Sequence, residues 1–143
     1  MDEISNRDLI HLLNQRTRLL AKEVNKCLSD HGLYTSQWSI IFCIERFGPM
    51  TQTEIWKYLN VEAPTITRTL SRMEKNGWIK RELGKDKRER VINLTEEAWR
   101  NYKTIRQSMD NLEHEILSDL STEEKKHLYN LLKKIRTSGE RTT

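Results

Sequence analysis

Cysteine is scarce in this sequence, with only Cys27 and Cys43, sixteen positions apart. Without a second pair, zinc-finger spacings and a disulfide-rich scaffold are excluded, and a reducing cytoplasm is the expected compartment. The five glycines are scattered singly, so no glycine-rich loop exists to cradle a phosphate. Neither a nucleophile beside a base nor a carboxylate pair stands out, and no enzyme and no cofactor are expected. His11, His31, His114 and His127 lack metal-ligand spacing such as HExxH, so no metal site is expected. The longest wholly apolar run, Ile40 to Ile44, is far too short to span a bilayer, and the opening MDEISNRD is too acidic and polar for a signal peptide. The expectation is a protein neither exported nor inserted in a membrane.

What remains is a chain of 143 residues, enough for one domain and its core. Mean hydropathy is low, −0.79, yet the apolar residues fall in periodic rows, which marks a polar-surfaced helical protein rather than a disordered one. The formal charge of +4 is unevenly placed. Six basic residues balance six acidic ones over 1–50, and nine balance nine over 95–143, whereas 51–94 holds ten against six. The whole excess therefore lies in the middle segment, as a polyanion-binding surface requires.

Within that segment, APTITRTLSRMEKNG from Ala63 to Gly77 divides at about 100° per residue into two faces of opposite chemistry. Ile66, Leu70 and Met73 form the buried row, while Thr65, Arg68, Ser71, Arg72 and Lys75 point away from it. Pro64 suits the first helical position, and Asn76 with Gly77 suits a left-handed stop. Arginine can fork onto guanine or grip phosphate, and threonine can meet a phosphate or a thymine methyl, so this face fits a major groove. Just upstream, Thr51 and Glu54 form a capping box that opens a short helix, Gln52 to Leu59, with Ile55 and Leu59 inward. Asn60, Val61 and Glu62 then turn into Pro64, which gives a helix–turn–helix. After Gly77, apolar-containing runs at 78–83 and 91–94 flank a charged, glycine-headed loop and predict a β-hairpin with a basic tip. From Ile79 to Arg90 six residues are basic and three acidic, so a hairpin in this position reads as a DNA-binding wing.

Long amphipathic helices enclose this middle. Ser5 and Asp8 begin the first, whose stripe is Leu9, Leu12, Leu13, Leu20, Val24, Cys27 and Leu28, and which stops near Gly32. Thr35 or Ser36 caps a second, WSIIFCIERF, apolar on nearly every side and so the buried one, ending at Gly48 and Pro49. Thr95 caps a fifth helix with a seam of Ala98, Tyr102, Ile105, Met109, Leu112 and Ile116, spaced alternately four and three. Ser121 and Glu124 form the capping box of the last, striped by Leu128, Leu131, Leu132 and Ile135, after which the tail is expected to fray. These rows exceed what a small winged core can cover, so dimerisation is expected.

The order of elements, and above all APTITRTLSRMEKNGWIKR followed by DKRERVINLTEEA, resembles the MarR family of winged helix–turn–helix transcriptional regulators over nearly the whole length. The resemblance implies a mainly α fold with a small β-hairpin wing. It also implies a single MarR-type domain over 1–143, with 1–34 and 95–143 forming a helical dimerisation region and 35–94 the DNA-binding lobe. A homodimeric repressor on a pseudopalindromic double-stranded operator, released by a small aromatic or phenolic effector, is the implied function. Thr51, Gln52, Pro64, Thr65, Thr67, Arg68, Ser71, Arg72, Lys75, Lys85, Asp86, Lys87, Arg88 and Arg90 would meet DNA. Arg88 would enter the minor groove while Asp86 braces the wing, in an Asp-x-Arg motif. His11, Arg16 and Trp38 are candidates for the effector cleft. A winged-helix protein-interaction module is the alternative, and it would lack this localised positive charge.

Overall fold

Ser5 sets the first boundary: its hydroxyl accepts from the Asp8 amide at 3.1 Å while the Asp8 carboxylate accepts from the Ser5 amide, opening α1 over Asn6–Ser29. The computed structural model describes residues 3–86 and 88–141. Within it the chain divides into two compact units, Met1–Met109 and Asp110–Thr143.

In the first unit, α1 is followed by α2 (Thr35–Phe47), β1 (Met50–Thr51), α3 (Gln52–Leu59), α4 (Ala63–Lys75), β2 (Ile79–Leu83), β3 (Arg90–Leu94) and most of α5 (Glu96–Ile116). The expected caps of α2, Thr35 or Ser36, are displaced by Tyr34. Thr35 has another task, since both its amide and its hydroxyl donate to Asn25 Oδ1 of α1, and Gln37 Oε1 takes the Tyr34 amide at 3.1 Å. The α2 helix is the central one, burying Gln37, Trp38, Ile40, Ile41, Cys43 and Ile44. Its apolar girdle is incomplete, because Phe42 and Phe47 stay exposed and Phe47 packs edge-on against Tyr58 of α3, 4.9 Å between centroids.

The helix–turn–helix runs as expected, with α3 matching its predicted limits and Asn60 turning the chain at φ 56°. Asparagine tolerates this left-handed conformation better than other side chains bearing a Cβ. Helix α4 starts one residue earlier than expected: Glu62 is its N-cap, which puts Pro64 at the second position, where an amide hydrogen is still not needed by the helix. Ile66, Leu70 and Met73 are buried, each contributing roughly 1.5–3 kcal/mol by leaving water. Gly77 reverses the chain at φ 79°, a conformation that would strain any side chain.

The hairpin of β2 and β3 pairs Ile79 with Leu94 through Leu83 with Arg90. A strand that sequence patterning does not reveal adds to it: β1 pairs with β3 at Met50–Ile92 and Thr51–Val91, giving the antiparallel order β1-β3-β2. Two residues are too few to show alternation. Along α5, Ala98, Ile105 and Met109 are buried, while Tyr102, Leu112 and Ile116 are half-covered.

The second unit holds the end of α5, α6 (Thr122–Lys134) and α7 (Ser138–Arg141). The Ser121–Glu124 capping box opens α6, and its hydrogen bonds hold the Glu124 carboxyl below the ordinary carboxylate range. The tail, expected to fray, forms the single helical turn α7 over its described residues. No helix among the described residues is long and apolar enough to cross a membrane.

Candidate nucleic-acid interface

Helix α4 presents Pro64, Thr67, Arg68, Ser71, Arg72 and Lys75 to solvent, as its amphipathic pattern requires. Thr65 does not join them. It is half-buried, its carbonyl accepting the Thr69 hydroxyl at 2.9 Å, and it lines a cavity of about 200 Å³ with Tyr34, Ser36, Gln37, Arg68, Thr69 and Arg72. The exposed polar face of α4 is thus centred on Arg68, Ser71, Arg72 and Lys75.

Several expected contacts are already engaged within the chain. The Thr51 hydroxyl caps α3 by accepting the Glu54 amide at 3.1 Å. Gln52 Nε2 donates to Thr67 Oγ1 at 2.6 Å, and that hydroxyl donates to the Ala63 carbonyl at 3.0 Å. On the other side Gln52 Oε1 accepts from Arg81 Nη1 at 3.5 Å, and Arg81 Nε lies 3.6 Å from Glu74 Oε2. Arg81 is not among the residues the sequence points to, because it is one of six basic residues in the charged stretch from Ile79 to Arg90. Strand alternation was the available signal, since residues 79 and 81 must share a face and Ile79 is buried.

At the wing, Lys85, Asp86, Arg88 and Arg90 are exposed, and Lys87 lies outside the described residues. Asp86 braces the tip through the backbone: its Oδ1 accepts the Arg88 amide at 3.2 Å and its carbonyl the Glu89 amide at 2.9 Å. The Gly84 amide closes the loop on the Glu89 carbonyl at 2.9 Å. Lys80 is tied to Glu82 at 3.0 Å, and that contact, reinforced by Asn93, lowers the Glu82 pKa. Among the described residues, by contrast, no carboxylate pairs with Arg68, Arg72, Lys75, Lys85, Arg88 or Arg90. Unpaired cations on a helix face and on an adjoining hairpin form a surface open to phosphates.

A MarR family model matches residues 33–89, from the turn before α2 to the wing. The uncharacterized HTH-type transcriptional regulator YwoH of Bacillus subtilis is 51% identical over 129 residues, covering 88% of this chain and 94% of that relative. The chain belongs to the MarR family. It is a winged helix–turn–helix transcriptional regulator by fold and kinship. The multiple antibiotic resistance protein MarR of Salmonella typhimurium is 31% identical over 129 residues, covering 89% of this chain and 88% of its own. A solved mutant of MarR from E. coli, complexed with operator DNA, superposes with a TM-score of 0.76 at 28% identity, over 90% of this chain and 91% of that one.

The three residues expected at an effector cleft are placed differently from one another. Trp38 is only 7% exposed; its ring stacks on Tyr102 at 5.9 Å, with the Arg106 guanidinium 5.8 Å from its centroid. His11 and Arg16 are exposed on α1, about 140° apart around the helix. Trp38 therefore serves the α2–α5 packing. Of the two thiols, Cys43 is buried and Cys27 half-buried, and burial raises the pKa of both.

Proposed function

We propose that the protein binds a pseudopalindromic DNA operator as a homodimer and represses transcription until a small aromatic or phenolic effector releases it. The carrying observation is a row of cations with no carboxylate partner among the described residues: Arg68, Arg72 and Lys75 on one face of α4, with Arg88 and Arg90 on the wing. A protein-interaction module of the same fold has no use for that charge. The operator-bound E. coli relative supports duplex DNA as the ligand.

Support for the homodimer comes from apolar residues that one chain leaves in water. On α1, Leu9, Leu12 and Leu20 are more than 40% exposed, and Leu128, Leu131 and Leu132 on α6, with Ile135 at its C-cap, are 40–51% exposed. Helix stripes of this kind are covered by a second copy at low cost, because a twofold axis buries each stripe twice. The cavity lined by Arg68 and Arg72 supports release by an effector, since its volume of about 200 Å³ suits one small aromatic ring and these arginines belong to the row proposed to face DNA. An acidic aromatic seated there would compete with phosphates for the same guanidinium groups.

Selection of bound duplexes from random-sequence DNA, followed by footprinting, tests the reading. Two protected half-sites about one helical turn apart are expected. A single unpaired half-site, or no selected sequence, would overturn it.

A further inference from the structure

Gln52, Thr67, Glu74 and Arg81 come from four places: the first turn of α3, the first half and the last turn of α4, and the wing strand β2. Their side chains meet in one line, with Glu74 beside Arg81 at 3.6 Å, Arg81 on Gln52 at 3.5 Å and Gln52 on Thr67 at 2.6 Å. The β1–β3 pairing, the Thr95 bond to the Gly77 carbonyl and the buried Ile79, Ile92 and Leu94 already hold the base of the hairpin; the Arg81 contacts add a polar link from the middle of β2 to both helices. A guanidinium is planar, with donors in a fixed fork, so holding it from two sides fixes direction as well as distance. The Arg81 side chain is a quarter exposed and that of Glu74 nearly half, so Arg81 is the more shielded member of the pair.

We propose that Arg81 is the positioning residue of the interface, clasping the wing to both helices so that α4 and the hairpin tip reach the DNA in one fixed relative orientation. Gln52 and Thr67 act within the clasp and not as readers of bases. This inference rests on the DNA reading above. It assigns Glu74 a role that its charge alone contradicts, because a carboxylate at the end of α4 repels phosphate. The carboxylate is retained in the site as the anchor for Arg81.

The opposing signs give a test. The probe is the duplex selected by the parent protein, and the readouts are hydroxyl-radical protection along it, the slope of affinity against salt and the melting temperature of the free protein. Glu74→Gln and Arg81→Met are each expected to lower affinity roughly three- to tenfold, as loss of one interaction on this scale would. Protection should weaken at the flanks that the wing covers and persist at the centres of the half-sites. The double variant should lose little more than Arg81→Met alone, because both residues act through one contact. If Glu74→Gln binds equally or more tightly while Arg81→Met lowers the salt slope by about one, Arg81 is itself a phosphate contact and the clasp is wrong. Uniform loss of protection that tracks a lower melting temperature would reduce the cluster to ordinary stabilisation and also overturn it. Failure of the parent to select any duplex would overturn the DNA reading, and this inference with it.

Discussion

The Thr95 hydroxyl donates to the Gly77 carbonyl at 2.6 Å and accepts the Ala98 amide at 3.1 Å. One oxygen therefore caps α5 and anchors the turn that ends the recognition helix, while the Thr95 amide binds the Trp78 carbonyl at 3.2 Å. Thr95→Val keeps the shape of the side chain but removes both hydroxyl bonds. It should destabilise the fold by about 1–2 kcal/mol, whereas Thr95→Ser should stay close to the parent. Urea unfolding of the three proteins checks this, and equal midpoints for Val and Thr would show that the hydroxyl is dispensable.

Arg68 and Arg72 occupy the exposed face of α4 with no carboxylate beside them among the described residues. Replacing a base-reading arginine should cost roughly 1–3 kcal/mol and relax preference at one position of the operator. Arg68→Ala and Arg72→Ala, titrated against the selected duplex and its single-base variants, separate base readout from phosphate contact. Unchanged affinity in both would remove α4 from the groove.

The exposed leucines of α1 and α6 bear on assembly. Leu12→Asp and Leu131→Asp place a charge in rows that, in the single chain, face water. Neither should unfold the monomer, but each should shift sedimentation toward a monomer at micromolar concentration. Loss of the second half-site should then lower operator affinity roughly a hundredfold or more, since the two sites no longer bind as a unit. A dimer that survives both changes would place the interface elsewhere.

How legible these features were depended on the range of the interaction that made them. The limits of α3, the helix start at Ser5, the capping boxes at Thr51 and Ser121, and the buried row Ile66, Leu70 and Met73 all arise within a few residues, and the sequence pattern shows them. Strand β1 exists because β3 passes beside Met50, a long-range pairing that leaves no local trace. The same applies to the start of α2, where Tyr34 stands at the N-cap without a side-chain cap and Thr35 is bonded to Asn25 of α1. At the candidate site, charge picked out an exposed face of α4, while the sequence showed nothing of the contacts that Thr65, Gln52 and Thr67 make within the protein. Such partners come from residues up to 29 positions apart, which a single sequence does not display.

Burial governs the thiols. Desolvation raises the pKa of Cys43, and desolvation with the nearby Asp30 charge raises that of Cys27. A raised thiol pKa leaves less thiolate at neutral pH, so both should react more slowly with iodoacetamide than a free cysteine does. In stability terms the neutral thiols favour the fold below the unfolded pKa, and that contribution falls as pH rises through the folded one. Mass spectrometry of timed alkylation at pH 7.5, native against urea-unfolded, checks the rates. Equally fast native labelling would overturn the assignment of both as packed residues.

The wing remains, and its geometry separates two kinds of contribution. Asp86 is occupied with the Arg88 and Glu89 amides, so it shapes the tip without pairing with the Arg88 guanidinium. Arg88 is exposed and free to enter a minor groove, where a narrow A·T-rich stretch would hold it most strongly. Arg88→Ala should therefore lower the slope of log affinity against log salt by about one and also weaken the preference for A·T-rich flanks. Lys85→Ala should lower the slope alone, because a phosphate contact carries no sequence information. Asp86→Ala should loosen the tip and weaken the flank preference even though it removes a negative charge, an outcome opposite to simple electrostatics. Binding titrations over a range of salt, on duplexes with A·T-rich and G·C-rich flanks, measure all three. If none of the variants changes affinity, slope or flank preference, the hairpin is a solvated turn and the wing assignment fails.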